Sequence, residues 1–204
     1  MKRLSYLLIL CTLLASCKKG KKLPHEVPVQ FITLSNASVY PEDHFPPFNP
    51  YDFSEAVVSP KYAHDYSTSQ IAERFNKDLI YHLNKNNVTL QTDTAGYVLK
   101  IGSIHLGETI ERQSYIDSCG FNYPLAYVYA SSLRFSVSAS LYKNGVFIKQ
   151  WIEEGKSSEH VKTEIDDCNK PKVSKLLRGP NWLINQVAKE IRVRVSKELY
   201  LQET

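Results

Sequence analysis

The 204-residue chain contains eight glycines, and none of them are grouped in the pattern that lets backbone amides cradle a phosphate. It has no Cys-x-x-Cys and no His-Glu-x-x-His, and its histidines, His25, His44, His64, His82, His105 and His160, are scattered. Redox-motif and metalloprotease chemistry therefore have no local signature, and a metal could be held only by residues distant in sequence. No metal and no cofactor are expected. Charge of one sign is scarce as well: 25 basic residues against 21 acidic give a formal +4, too little field for a nucleic-acid binder. The one nearly unbroken apolar run, Leu4 to Leu14, falls short of the roughly 20 residues that span a bilayer.

That short run has its own meaning. Met1-Lys2-Arg3 precedes it and Leu14-Ala15-Ser16-Cys17 follows at once, which is the layout of a signal peptide ending in a lipobox. Small side chains at Ala15 and Ser16 let the chain enter a peptidase, and the Cys17 thiol is the nucleophile that takes up a diacylglyceryl group. The alternative is an ordinary secretory signal that happens to hold a cysteine. In resemblance to bacterial lipoproteins generally, residues 1–16 are removed and Cys17 becomes the acylated first residue. Three acyl chains, at about 0.8 kcal/mol per buried methylene, hold far better than one. Lys18 stands where an acidic residue would signal inner-membrane retention, which favours the outer membrane. Lys18-Lys19-Gly20-Lys21-Lys22 is basic where many surface-exposed lipoproteins are acidic, which favours the periplasmic face.

The expected organisation is a flexible tether over 17–26 and a single domain over 27–204. Loss of Lys2 and Arg3 with the leader brings the charge to about +2, from 23 basic and 21 acidic residues. Removal of Cys11 and acylation of Cys17 leave Cys119 and Cys168 as the free pair in an oxidising compartment, and a disulfide between them is expected.

Along the domain, Val27 to Leu34 alternates as a first strand, with Pro28 suited to a strand start or a sheet edge. A Pro- and aromatic-rich insertion occupies 37–66, too long for one loop in a compact domain unless it packs on the domain or on a partner. Ser67 and Gln70 have capping-box spacing, and Ile71, Phe75, Leu79 and Leu83 recur every fourth residue, so a helix runs to about Asn86-Asn87. Val88 to Leu90 is a short strand. Tyr97 to Ile110 is a longer one whose apolar residues change from odd to even numbers beside Gly102, which implies a bulge. From Tyr127 to Leu141 apolar and small polar residues alternate, Asn144-Gly145 is a hairpin signal, and the chain returns through Val146 to Ile152. A two-residue turn pairs residues whose numbers add to 289, placing Leu141 opposite Ile148 and Val137 opposite Ile152. Extended outward, the same register brings Cys119 near Cys168, closing a loop worth about 4 kcal/mol in the chain-entropy model. A final helix opens at Gly179-Pro180 and carries a stripe from Leu183 to Leu199. The fold expected is α+β, a two-layer sandwich in which two helices pack on one face of a small mixed or antiparallel sheet.

No residue set reads as catalytic, so the chain is expected not to be an enzyme. Ser140-Leu-Tyr-Lys143 spells Ser-x-x-Lys, but on a strand residues three apart point to opposite faces. His44 and His64 beside Asp43 and Asp65 read better as solvated loop residues than as a metal site. Asp166-Asp167 with Asp117 could supply hard oxygen ligands to calcium, although an acidic loop explains them as well. His82 and His105 are expected to flank the core. Tyr115, Phe121, Tyr123, Tyr127 and Tyr129 crowd one stretch, and Trp151 and Phe147 are expected on the outward hairpin face with Tyr142. Phe147, Trp151, Tyr142, Tyr123 and Tyr127 are therefore the partner-binding candidates.

The lipobox, the first strand, the capped helix, the Asn144-Gly145 hairpin and the closing helix together resemble the LPS-assembly lipoprotein family (LptE-like). The resemblance lies in the order and spacing of elements over about residues 27–200, and Cys17 alone transfers residue by residue. It implies a lipid-anchored subunit without catalysis, partnered with an outer-membrane β-barrel. The insertion at 37–66 and the cysteine pair depart from the pattern. A second function stays open, an anchored module that binds glycan or lipid.

Overall fold

The structure, a computed structural model, describes residues 22–33, 37–41, 62, 66–91, 95–116, 125–162, 172–173 and 175–203. Strand β1 (Val27–Thr33) is followed by β2 (Ala37–Pro41), helix α1 (Thr68–Asn84), β3 (Val88–Gln91) and the long strands β4 (Tyr97–Ile116) and β5 (Leu125–Lys143). Then come β6 (Val146–Ser158), the two-residue strands β7 (Val161–Lys162) and β8 (Lys172–Val173), and helix α2 (Pro180–Glu203). The main sheet has the order β3-β1-β4-β5-β6, with β2 pairing on β4 beyond the end of β1. β1 is parallel to β3 and β4, whereas β4, β5 and β6 run antiparallel, so the sheet is mixed. Both helices lie on one face, and the fold is an α+β two-layer arrangement.

Alternation decides which face is buried. Leu133, Phe135, Val137, Ala139 and Leu141 of β5 are fully buried, and Ser132, Ser136, Ser138 and Ser140 between them point to the other side. The four α1 residues at fourth-residue spacing, Ile71, Phe75, Leu79 and Leu83, are all buried. So are Leu183, Ile184, Val187, Ala188, Ile191, Val195 and Leu199 of α2. Phe75 meets Phe135 with ring centroids 6.1 Å apart, joining α1 to the centre of the sheet. α1 begins at the expected capping box: Ser67 Oγ accepts from the Gln70 amide at 3.2 Å, and Gln70 Oε1 accepts from the Ser67 amide at 2.8 Å. It stops at Asn84, and Asn87 follows in the left-handed region at φ 63°.

The bulge expected beside Gly102 is present. Ile101 pairs with Ala139 but Ser103 pairs with Ser138, so one extra β4 residue moves the buried positions from odd numbers to even ones. This shift corrects one expectation. His105 is exposed on the outer face instead of flanking the core, because beyond the bulge odd-numbered residues point away from the helices. β2 occupies the first five residues of the Pro- and aromatic-rich insertion at 37–66.

The hairpin turn forms at Asn144-Gly145, both with positive φ (51° and 80°), as a type I′ turn requires. Its register holds only at the tip. Tyr142 pairs with Phe147 and Lys143 with Val146, but a bulge follows, and Leu141 pairs with Lys149, Ala139 with Trp151 and Val137 with Glu153. The expected pairs Leu141–Ile148 and Val137–Ile152 are thus displaced by one residue. A one-residue slip exchanges the two faces of β6. It carries Trp151 inward to 9% exposure and leaves Ile152 outward at 74%. Gly155 then faces α2 closely, since a Cβ there would lie 3.2 Å from both Leu183 Cδ2 and Val187 Cγ2.

Candidate functional site

Among the described residues, both helices pack on one face of the main sheet and leave the other open. Along β5 it shows serines, with Ser138 Oγ 2.9 Å from Ser103 Oγ and Ser132 Oγ 2.9 Å from Ser158 Oγ across the neighbouring strands. At the end bearing the Asn144-Gly145 turn this polar surface gives way to aromatics. Tyr142 and Phe147 pack edge to face with centroids 5.7 Å apart, and Lys100 Nζ lies 4.6 Å from the Tyr142 ring centroid. Val98 is the β4 partner of Tyr142, so β4, β5 and β6 each contribute one side chain to a row. Phe147 remains 54% exposed and Val146 at the turn 68% exposed.

Of the partner-binding candidates, Tyr142 and Phe147 are brought together as expected. Trp151 is not among them: it faces the helices opposite Ala139, because the bulge after Tyr142 turns it inward. Ile152 takes the outward position, a residue that the assumed register had placed in the core. Tyr127 lies on β5 opposite Ser114, and Tyr123 lies outside the described residues. So do Cys17, Cys119 and Cys168. The described register that would bring the last two together runs outward only as far as Ser132 opposite Ser158. β5 begins at Leu125 and β6 ends at Ser158 opposite Ser132, so Cys119 falls between β4 and β5.

β6 is an edge strand of 13 residues with no strand paired on its far side among the described residues. Its inward charges are tied to α2, Lys149 to Glu198 at 3.5 Å and Glu153 to Arg194 at 2.8 Å. Outward, Glu154 sits between Arg134 at 3.4 Å and Lys156 at 3.3 Å. Charges of both signs along an edge discourage indiscriminate pairing while leaving a complementary strand room to add.

The chain enters the domain at the same end as the aromatic row. Leu23 is buried, its amide donates to the Asn86 carbonyl at 3.4 Å, and its carbonyl accepts from Asn87 Nδ2 at 2.8 Å. Two residues on, His25 Nε2 is 3.6 Å from Glu203 at the end of α2. Glu203 also accepts from the Tyr97 hydroxyl at 2.6 Å and lies 3.8 Å from Lys143 Nζ. That hydrogen bond, helped by Lys143 and His25, holds the Glu203 carboxyl below its ordinary range. Burial first, and donation to Glu203 second, push the Tyr97 phenol above its usual value.

A buried polar cluster at the opposite end of the helix-side face was missed from sequence. Glu108 is 1% exposed and Glu159 8%. Tyr62 joins them: its amide donates to Glu108 Oε2 and its hydroxyl to Glu159 Oε1, each at 2.9 Å, while the Ser131 amide donates to Glu159 Oε2 at 2.7 Å. Burial, then this bond to Glu159, raise the Tyr62 phenol. A signal existed, because Glu108 interrupts the buried even-numbered run Ile104, Leu106, Ile110. The cluster straps Tyr62 of the insertion to β4 and to the chain just past β6.

Other sequence candidates separate. Ser140 and Lys143 point to opposite faces, and His82 bonds Asn185 Oδ1 at 2.8 Å between the helices. His44, His64, Asp43, Asp65, Asp117, Asp166 and Asp167 lie outside the described residues. Among the described residues no group of three His, Cys, Asp or Glu side chains could hold a metal ion, and no helix is long and apolar enough to cross a membrane.

No protein-family model and no curated protein matches the chain. Solved structures do resemble it at low identity. One is a minor lipoprotein from Acinetobacter baumannii, with 12% identity over 86% of this chain and 94% of that one and a TM-score of 0.38. A second is a homolog of neuraminyllactose-binding hemagglutinin from Helicobacter pylori, with 12% identity, 91% of each chain and a TM-score of 0.40. The rare lipoprotein B from Shewanella oneidensis shares 14% identity over 85% of this chain and 92% of its own, with a TM-score of 0.27. Superpositions this loose carry no conclusion about activity or partners.

Proposed function

We propose that this chain is a non-catalytic accessory lipoprotein, held through acylated Cys17 on the periplasmic face of the outer membrane. In this reading it serves an assembly or transport machine whose partner is a β-barrel, LPS assembly being the process that the order of its elements suggests. The anchor rests on Leu14-Ala15-Ser16-Cys17 and the basic residues after it. The observation that carries the docking role is the β6 edge, on which no strand pairs among the described residues, with Ile152 outward at 74% exposure. A partner strand added there gains main-chain hydrogen bonds, and the outward side chains of β6 supply the specificity.

The test is mild-detergent extraction of the tagged lipoprotein from its own membranes, followed by mass spectrometry of what co-purifies in fixed ratio. The reading predicts a stoichiometric β-barrel that is lost in Ile152→Asp, a variant whose own stability stays unchanged. Recovery of the chain alone, or a barrel retained by Ile152→Asp, overturns the docking role. A glycan or lipid retained in its place would favour an anchored ligand-binding module.

A further inference from the structure

The tip of the β5–β6 hairpin carries exposed apolar side chains that the β6 edge does not need. Val146 and Phe147 are 68% and 54% exposed, and Leu201 on the last turn of α2 is 59% exposed at the same end of the domain. Basic groups surround them. Lys100 lies over Tyr142, and Lys143 lies over the Tyr97 ring at 5.0 Å while bonding the Gln202 carbonyl at 3.4 Å. Two acids lie at this end among the described residues: Glu203, shared among His25, Tyr97 and Lys143, and Glu26, which accepts from the Thr89 hydroxyl. This is also the end where the chain enters, fixed by Leu23.

Leu23 is six positions after Cys17, and four of the five residues between them are lysines, Lys18, Lys19, Lys21 and Lys22. Fully extended, such a link reaches about 20 Å. A bilayer holding Cys17 must therefore lie against the end of the domain that bears Phe147. The far end cannot compete. Its exposed Leu177 and Trp182 sit at the start of α2, a helix of 24 residues and so about 36 Å from its other end.

We propose that the hairpin tip, with Lys100, Tyr142, Lys143, Val146, Phe147 and Leu201, docks on the anionic phospholipid headgroups of the bilayer that holds Cys17. The inference rests on the lipid anchor proposed above. Aromatic and aliphatic side chains enter the headgroup boundary, and the lysines extend beside them to lipid phosphates, an arrangement suited to an interface and to no defined ligand. Docking fixes the orientation of the domain, with the β6 edge standing away from the membrane and open to a partner.

The experiment uses the lipidated full chain purified from its own membranes and reconstituted in vesicles whose headgroups carry a spin label that quenches tryptophan on contact. Phe147→Trp adds an emitter at the tip, and the native Trp151, buried, and Trp182, at the far end, serve as internal references. In vesicles containing phosphatidylglycerol the added emission falls by about threefold or more. It recovers in vesicles of phosphatidylcholine alone, and also when Lys100→Glu is combined with Phe147→Trp. Emission at position 147 that is unquenched in phosphatidylglycerol vesicles on an acylated chain, or quenched equally in phosphatidylcholine alone, overturns the docking alone, as does quenching of Trp182 in the wild type. Cys17 found without acyl chains overturns the anchor and this inference together.

Discussion

The two faces of the sheet are built from the same strands yet follow different rules. Among the described residues, the helix side collects most of the large apolar side chains of β4, β5, α1 and α2 and seals them, with Phe75 and Phe135 in contact at its centre. The open side presents serines, lysines and glutamates, interrupted by Ile152 on the edge and by the Tyr142-Phe147 pair at the tip. The difference separates what holds the fold together from what is free to recognise something else. Substitutions on the first face act on stability, and those on the second act on association.

That separation can be broken most severely from inside. Phe75→Ala leaves a cavity between α1 and the sheet and is expected to cost about 3–5 kcal/mol, read by urea denaturation at unchanged m-value. Gly155→Leu forces a side chain into the 3.2 Å contacts with Leu183 and Val187, at about 1–3 kcal/mol in the same assay. Removing the cap of α1 with Ser67→Ala costs about 1 kcal/mol. On the outer face Ile152→Asp changes stability by less than about 0.5 kcal/mol, and its consequence is confined to partner capture. A loss there as large as at Phe75 would erase the contrast between the faces.

The smallest effect is a pH dependence at the tether end. Glu203 has a folded pKa below its unfolded value, so its contribution is present above about pH 4.3 and is lost as pH falls through the lowered value. Tyr97 has a raised folded pKa, so its contribution is present below about pH 10 and is lost as pH rises through it. Tyr97→Phe removes the Tyr97 part of the alkaline slope and shrinks the acid slope, which Lys143 and His25 still sustain through Glu203, and thermal melts across that range will show both reductions.

Much of this architecture was legible because short-range rules agreed with one another. Ser67 and Gln70 announced α1, the phase change beside Gly102 announced the β4 bulge, and Asn144-Gly145 announced the turn. The failures share a physical cause. A hairpin register read from its turn assumes an unbroken ladder, and the bulge after Tyr142 leaves no mark in the residues around it, since Ile148, Trp151 and Ile152 are all apolar. Either register therefore looked satisfactory, and only the pairing of Trp151 with Ala139 decides which large side chain is core. The Tyr62-Glu108-Glu159 cluster joins residues 46 and 97 positions apart, beyond any local pattern. The pairing of β2 with β4 is equally non-local.

The anchor at Cys17 is the claim on which both the docking role and the membrane orientation stand, and intact-mass spectrometry of the chain extracted from its native membranes tests it most directly. The account predicts a species that begins at Cys17, lacks residues 1–16 and carries diacylglyceryl and N-acyl groups on that residue, and that becomes an unacylated precursor in Cys17→Ala. A wild-type chain that retains residues 1–16, or one that starts elsewhere with Cys17 unmodified or absent, would contradict it.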